Sequence, residues 1–221
     1  MLENEYLEKP EKYYNGLRPE ISDLVTTKVN RILDVGASSG NFAESLLLQN
    51  KCNEAYGIEP FPEAAKVAES RLTKVYHGGV EENIKNLENN FFDIIFFNDV
   101  LEHLQNPNQV LIDIKSKLTE NGLIISSIPN VAYINNLYNL IFNQDWEYVD
   151  SGILDKTHLR FFTKKSILRM FDECGYNIDL IKGNPYCQKP LRKKFKIVNF
   201  FPKGKLNDSI YLNFLSIASK K

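Results

Sequence analysis

The sequence predicts an α/β fold: a mostly parallel sheet with helices on both faces. Short apolar runs alternate with helical stretches from residue 31 onward, and repeated β-α-β units close into a parallel sheet covered on each side. The runs are continuous rather than alternating, as strands buried on both faces are. The 221 residues are 43% hydrophobic and 25% charged, which suits one sizeable globular unit and excludes a disordered, coiled-coil or collagen-like chain. Residues 1–221 therefore read as a single domain.

Each element has its own signal. Residues 1–17 are polar and Tyr-rich, and a helical pattern runs from Leu17 to Lys28, so 1–30 reads as an N-terminal helical segment. Arg31–Val35 (RILDV) is a buried strand, Asn41–Gln49 a helix and Glu54–Glu59 (EAYGIE) a strand. Pro62–Leu72 is helical, Lys74–His77 a short strand and Glu81–Leu87 a short helix. Phe92–Phe97 (FDIIFF) is the clearest strand. Asn108–Leu118 is a helix closed by Asn121-Gly122, a stop signal, and Leu123–Ile128 (LIISSI) is the next strand. After Pro129 the rhythm breaks. Residues 130–162 are rich in Asn, Tyr and Asp and read as a lid-like insertion over a substrate. Thr163–Cys174 is a helix capped by Thr163 and ended by Gly175. Ile178–Ile181 and Ile210–Ala218 are strands, and between them 183–207 carries the basic stretch KPLRKKFKIVNFFPKGK.

Composition narrows the function classes. The net charge is −1, so the field of the whole molecule is not expected to hold nucleic acid, DNA included, or an anionic membrane. The charge is uneven, however: Leu180–Asn207 holds eight Lys/Arg and no Asp/Glu. Cys52, Cys174 and Cys187 lie far apart with no C-x-x-C pair, which excludes a zinc ribbon and argues against a disulfide framework. The opening MLENEYLEKPEKYY has no secretory h-region, and the apolar runs are far shorter than the ~20 residues of a spanning helix. A cytoplasmic protein is the expectation.

Ile32 to Phe42 (ILDVGASSGNF) is the most informative stretch. A strand ends in an acid, turns on Gly36 and Gly40, and enters a helix, so a ligand is expected at the carboxyl end of that strand. Ser38 and Asn41 stand where a dinucleotide fold needs its second and third glycines, and no G-K-[ST] follows for a P-loop. Glu59 ends the next strand, where a carboxylate can accept both ribose hydroxyls. A ribose-binding acid and a glycine turn without a pyrophosphate signature point to a nucleoside ligand lacking phosphates. S-adenosylmethionine fits.

ILDVGASSGNFA, YGIEPFPEAAKVA, FDIIFFNDVLEHLQNP and NGLIISSIPN, in this order over Arg31–Pro129, resemble the motif series of class I S-adenosylmethionine-dependent methyltransferases. The resemblance implies a Rossmann-like seven-stranded sheet of order 3-2-1-4-5-7-6 with its last strand, Ile210–Ala218, antiparallel. It implies that the Gly36–Gly40 turn, with Ala37 and Ser38, packs on the methionine part while Asp34 organises the turn. Glu59 would hold the ribose, Phe61 lie along the adenine, and Arg18 pair with the methionine carboxylate. Relatives often carry an adenine-binding acid where this chain has Gly79. The Val80 backbone, or Glu81, is expected to serve instead.

The next strand ends in Asn98-Asp99-Val100-Leu101-Glu102-His103, which in the family lies beside the transferred methyl and adds Asn98 to the cofactor residues. A hydroxyl acceptor must lose a proton as its oxygen attacks, and an imidazole suits that task. His103 is thus the candidate base, with Asp99, Glu102 and the later His158 (in KTHLRFFT) as catalytic partners. D-x-x-E-H plus a later His is also similar to small-RNA 2′-O-methyltransferases, where such residues hold a divalent metal. Mixed N/O donors would suit Mn²⁺, Fe²⁺ or Mg²⁺, and a packing role is the third possibility. No metal ligand is assigned, and His77 is read as a strand residue without chemistry.

The insertion's Tyr133, Tyr138, Trp146 and Tyr148, with Asp150 and Asp155, suit a saccharide or another small hydroxylated acceptor. A lid packed by its own aromatics explains them equally well. The stretch through HLRFFT resembles methyltransferases of bacterial surface-polysaccharide and glycan biosynthesis. The basic segment would meet a phosphate-bearing acceptor or an anionic membrane surface. RNA 2′-O-methylation is the rival enzyme reading, without an RNA-binding extension to support it. A non-catalytic cofactor-binding module is the rival from another class. The oligomeric state stays open.

Overall fold

The computed structural model describes residues 17–184 and 206–221. Seven strands form one sheet: β1 Val29–Val35, β2 Cys52–Glu59, β3 Lys74–His77, β4 Phe92–Asn98, β5 Leu118–Pro129, β6 Tyr176–Gly183 and β7 Asn213–Lys220. Their order is β3-β2-β1-β4-β5-β7-β6. All pairings from β3 across to β5 are parallel, and β7 runs antiparallel between β5 and β6. This is the expected Rossmann-like α/β sheet.

Side-chain alternation explains why both faces are apolar. Leu33, Val35, Ile95, Phe97 and Ile124 belong to one core cluster, and Ile32, Ile94, Phe96 and Ile125 to the other. Helices α1 Pro19–Ser22, α2 Asn41–Leu48 and α3 Pro62–Glu69 supply Ile21, Leu46 and Ala65 to the second cluster. Helices α4 Val80–Asn83 and α5 Pro107–Ile114 face the first through Val80 and Leu111. Helix α6, Ile134–Tyr138, starts the insertion, and α7, Lys164–Glu173, adds Ile167 and Phe171 to the first cluster. Thr163 caps α7 through a capping box with Ser166, and Gly175 follows it at φ 77°.

Two local expectations are corrected. The helix expected over Leu17–Lys28 is only the four-residue α1. Val25, Thr26 and Thr27 are poor helix formers, and the turning chain seats Ile21, Leu24 and Val25 on the core. Asn121-Gly122 is not a helix stop. Helix α5 passes into a 3-10 turn, Lys115–Lys117, and Asn121-Gly122 lies inside β5. The pairing jumps there from Phe92↔Leu118 to Ile94↔Leu123. A Cβ on Gly122 would stand 2.9 Å from the Phe92 carbonyl, so the glycine admits this irregularity. The basic stretch KPLRKKFKIVNFFPKGK lies outside the described residues, as does Cys187. Cys52 and Cys174 are free and buried. No described helix is long and apolar enough to cross a membrane.

Candidate functional site

Strand order reverses between β1 and its neighbours β2 and β4, and a cavity of about 550 Å³ opens at their carboxyl ends. Open parallel sheets bind ligands at such a switch point. Of the residues named from sequence, Arg18, Asp34, Gly36, Ala37, Ser38, Glu59, Phe61, Val80, Glu81, Asn98, Asp99 and His103 all line this cavity. Gly40, Glu102 and His158 do not.

The turn after β1 is held by backbone. The N–H groups of Gly36 and Ala37 both donate to Ile58 O, at 2.9 and 3.0 Å. Gly36 has φ 73°, and a Cβ there would meet Val100 at 2.8 Å. Gly40 precedes α2 at φ 81°, and a Cβ there would stand 3.2 Å from the Ala68 backbone, so the turn needs a glycine at this point although Gly40 does not line the cavity. Glu59 closes the turn across the strands. Its Oε2 accepts from Ser38 N at 2.6 Å and its Oε1 from Phe61 N at 3.0 Å. Burial raises the Glu59 pKa, and these two N–H donors pull it back. Asp34 is buried, and Asn98 Nδ2 donates to its Oδ1 at 3.3 Å. Burial pushes Asp34 up to about 8; Arg18 and Asn98 oppose the rise and the Glu59 charge adds to it. A cationic ligand beside Asp34 would favour its ionised form.

Arg18 is engaged on the opposite wall. Its Nη2 donates to Asp99 Oδ2 at 2.6 Å, rather than standing ready for a ligand carboxylate. Burial works against the guanidinium charge, but Asp99, Glu20 and Asp34 outweigh it and raise the Arg18 pKa. The chain of bonds continues: Ser127 Oγ donates to Asp99 Oδ1 at 2.7 Å, and Asn213 Nδ2 donates to Ser127 Oγ at 2.7 Å. Arg18, Ser38 and Asp99 have φ of 44°, 51° and 55°. Such left-handed residues cost on the order of 1 kcal/mol or more each and gather where a site is held against local preference. The sequence reading missed Ser127 and Asn213. Ser127 was accessible in principle, because β5 ends beside β4 with Asn98↔Ser127 in register; Asn213 comes from a strand 86 residues away and left no local signal.

At the far end of the cavity, Phe61, Gly79, Val80, Glu81 and Glu82 form the wall. Glu81 and Glu82 are both exposed and lie at the start of α4. Two neighbouring carboxylates and the Val80 backbone therefore stand where the adenine-binding acid was expected.

His103 lies on the wall in a 3-10 turn, Leu101–His103, that follows β4. Its Nδ1 is 3.2 Å from both the carbonyl and the hydroxyl of Thr157. Glu102 and His158 sit behind it, fully or nearly buried, with His158 Nε2 3.9 Å from Glu102 Oε1. The two imidazoles meet edge to face at 4.6 Å. Neither Glu102 carboxylate oxygen has a hydrogen-bond partner, and burial pushes this group well above the ordinary carboxyl range. A buried neutral acid or a bound cation both satisfy that environment. Ligand atoms of Glu102, His103 and His158 lie within 4.8 Å of one another, so the three fit a divalent ion by donor set and orphaned oxygens. His77 is apart from this chemistry, paired with Glu69 at 2.8 Å.

The insertion's aromatics do not reach the cavity wall. Tyr133 is buried with Ile134 and Ile153, Tyr138 packs on Phe142, and Trp146 and Tyr148 pack on Phe161. Asp150 pairs with Lys156 at the surface, and Asp155 is buried against Thr157. The wall residue from this region is Leu159. The cavity wall thus carries none of the four rings Tyr133, Tyr138, Trp146 and Tyr148.

Comparison with known proteins agrees with this fold. A methyltransferase-domain family model matches residues 6–181. The chain is 24% identical over 191 residues to a ubiquinone biosynthesis O-methyltransferase of Rickettsia bellii, covering 83% of this chain and 72% of that protein. A protein of the same name from Burkholderia pseudomallei is 26% identical over 176 residues, covering 76% and 73%. In fold, a SAM-dependent methyltransferase from Archaeoglobus fulgidus superposes with TM-score 0.64 at 19% identity, over 100% of this chain and 98% of that one. A Thermotoga maritima SAM-dependent methyltransferase, described as a possible histamine N-methyltransferase, gives TM-score 0.60 at 17% identity, covering 100% and 94%.

Proposed function

This chain belongs to the methyltransferase-domain family and uses S-adenosylmethionine, and from that premise we propose that it methylates an oxygen of a small hydroxylated acceptor. The observation that carries the reading is His103: an imidazole on the cavity wall beyond β4, its Nδ1 turned to Thr157. The hydroxyl oxygen attacks the sulfonium methyl as its proton passes to His103, and the thioether leaves as S-adenosylhomocysteine. Alignment of acceptor and methyl supplies much of the rate. In this reading Glu59 releases Ser38 N to accept from the ribose, Phe61 lies along the adenine, and Val80 N or the Glu81 carboxylate meets its edge. The Gly36–Gly40 turn receives the methionine part, whose ammonium favours ionised Asp34. Arg18, already tied to Asp99, is a wall of that pocket and meets the methionine carboxylate by sharing its guanidinium.

The similarity to proteins named as O-methyltransferases supports oxygen as the acceptor atom. A saccharide acceptor would need contacts other than the insertion's aromatics, which pack on one another. The test is transfer of a labelled methyl group to phenols, nucleotide sugars, glycans and short RNAs. Labelling of a hydroxylated small molecule, lost in His103→Ala, is expected. Labelling of nitrogen alone would overturn the reading.

One observation favours a second version: the orphaned Glu102 oxygens, with ligand atoms of Glu102, His103 and His158 all within 4.8 Å of one another. There Glu102, His103 and His158 would hold a divalent cation that lowers the acceptor's pKa. Chelation that abolishes turnover, with Mn²⁺ or Mg²⁺ restoring it, would replace the general base by that ion.

A further inference from the structure

We propose that Asp155 and Thr157 form an orienting pair behind His103 that fixes its neutral ring as the Nδ1–H tautomer, so that Nε2 carries the basic lone pair. The inference rests on His103 acting as the base, and it names two positioning residues for that reaction.

The argument is a count of protons. Thr157 Oγ1 donates to Asp155 Oδ1 at 2.7 Å, which uses the only hydrogen of the hydroxyl. The Thr157 carbonyl has none to give. Both oxygens lie 3.2 Å from His103 Nδ1, and both can act there only as acceptors. Nδ1 must therefore be the donor. Free imidazole side chains in water favour the opposite tautomer, so the protein has to impose this one, and a fixed acceptor at one nitrogen is how that is done.

The pair is built to stay in place. Asp155 Oδ1 also accepts from Thr157 N at 2.9 Å, so one carboxylate oxygen holds both the backbone and the side chain of Thr157. Both residues are 2% exposed, leaving little room for water to compete. The following residues are pinned to the turn that carries His103: Leu159 N and Arg160 N donate to Glu102 O at 2.8 and 3.0 Å. Residues 54 apart in sequence are thereby held in one register. When Nε2 takes a proton, the Nδ1–H faces a hydroxyl already polarised by a buried carboxylate, which stabilises the imidazolium. This is the logic of a nucleophile's base held by a third group, with a threonine inserted between base and carboxylate.

The chain has three histidines, so two-bond ¹H–¹⁵N spectra of the full-length protein, recorded above the imidazole titration range and assigned with His77→Gln and His158→Gln, read the tautomer directly. His103 is expected as Nδ1–H. A ring that is mainly Nε2–H in the wild type overturns the proposal. Asp155→Ala frees the Thr157 hydroxyl to donate, and the ring should become a mixture. Asp155→Asn keeps an oxygen acceptor for Thr157 and should keep the tautomer. In turnover, Asp155→Ala should lose about tenfold or more in kcat, short of the 10²–10⁴ of the base itself, with S-adenosylhomocysteine affinity unchanged. A folded Asp155→Ala with the wild-type tautomer and kcat removes the pair's role. If Asp155→Ala does not fold, the wild-type and Asp155→Asn spectra still decide. Failure of the base reading looks different: His103→Ala would then turn over normally, whatever the tautomer.

Discussion

The cavity beside β1, β2 and β4 and the insertion over 130–162 lie at the same end of the sheet and are built in opposite ways. The cavity is made of strand ends and one-turn loops, with Asp34 and Glu59 buried and the backbone held in left-handed conformations at Gly36, Ser38 and Asp99. Around it, Glu59 ties the end of β2 to the turn after β1, and Asn98 ties the end of β4 to Asp34. The insertion has two short helical turns, and Leu140, Ile141 and Phe142 stand largely exposed. Its aromatics touch one another. A rigid cradle suits a ligand that is the same in every turnover, and a looser cover suits a part that determines which molecule is admitted. We therefore expect perturbations of the two regions to separate cleanly.

The largest effect should come where the regions meet. His103→Ala is expected to lower turnover by roughly 10²–10⁴-fold, the usual loss for an acid–base group, while leaving S-adenosylhomocysteine affinity unchanged. Turnover within a few-fold of wild type would make His103 a packing residue.

A smaller effect tests the cradle through pH. Asp34 is raised to about 8 in the folded protein, so from the ordinary carboxyl range up to that pH the folded state keeps a proton that the unfolded chain has released. Stability of the ligand-free protein should fall as pH rises through this window, and Glu102, also raised, acts in the same direction. Thermal denaturation of Asp34→Asn, which keeps an oxygen for Asn98, should show a shallower slope. An unchanged slope would assign the pH dependence to other groups.

The smallest effect concerns acceptor choice. If Arg192, Lys193 and Lys194 meet a phosphate-bearing acceptor, their joint change to Ala should raise that acceptor's KM a few-fold at low salt, fading as screening grows. No change at low salt would leave the basic segment without this role.

What was legible in the sequence follows the same division. Gly36, Glu59 and Asp99 were readable because backbone geometry at a strand end demands particular residues at particular spacings. The sheet was readable because period-two packing needs apolar residues on both faces of β1, β4 and β5. Helix α1 was overextended because a helical pattern says nothing of where Val25 must be buried. Asn121-Gly122 misled because the same pair serves a helix end and a strand irregularity. The insertion was read from composition, and composition does not say which way a ring points: Trp146 packs edge to face on Phe161. Thr157 and Asp155 were invisible as a pair with His103, because the contact that gives them meaning is tertiary.

The separation itself is best tested by calorimetric titration of S-adenosylhomocysteine into the wild type, Glu59→Ala and Trp146→Ala. Glu59→Ala removes a carboxylate that ties Ser38 and Phe61 in place and would accept from the ribose, and it should weaken binding by about 10–100-fold, the range for lost hydrogen bonds to a charged group. Trp146→Ala should bind as the wild type does. Equal weakening in both variants, or full affinity in Glu59→Ala, would contradict the assignment of the cofactor to the cradle alone.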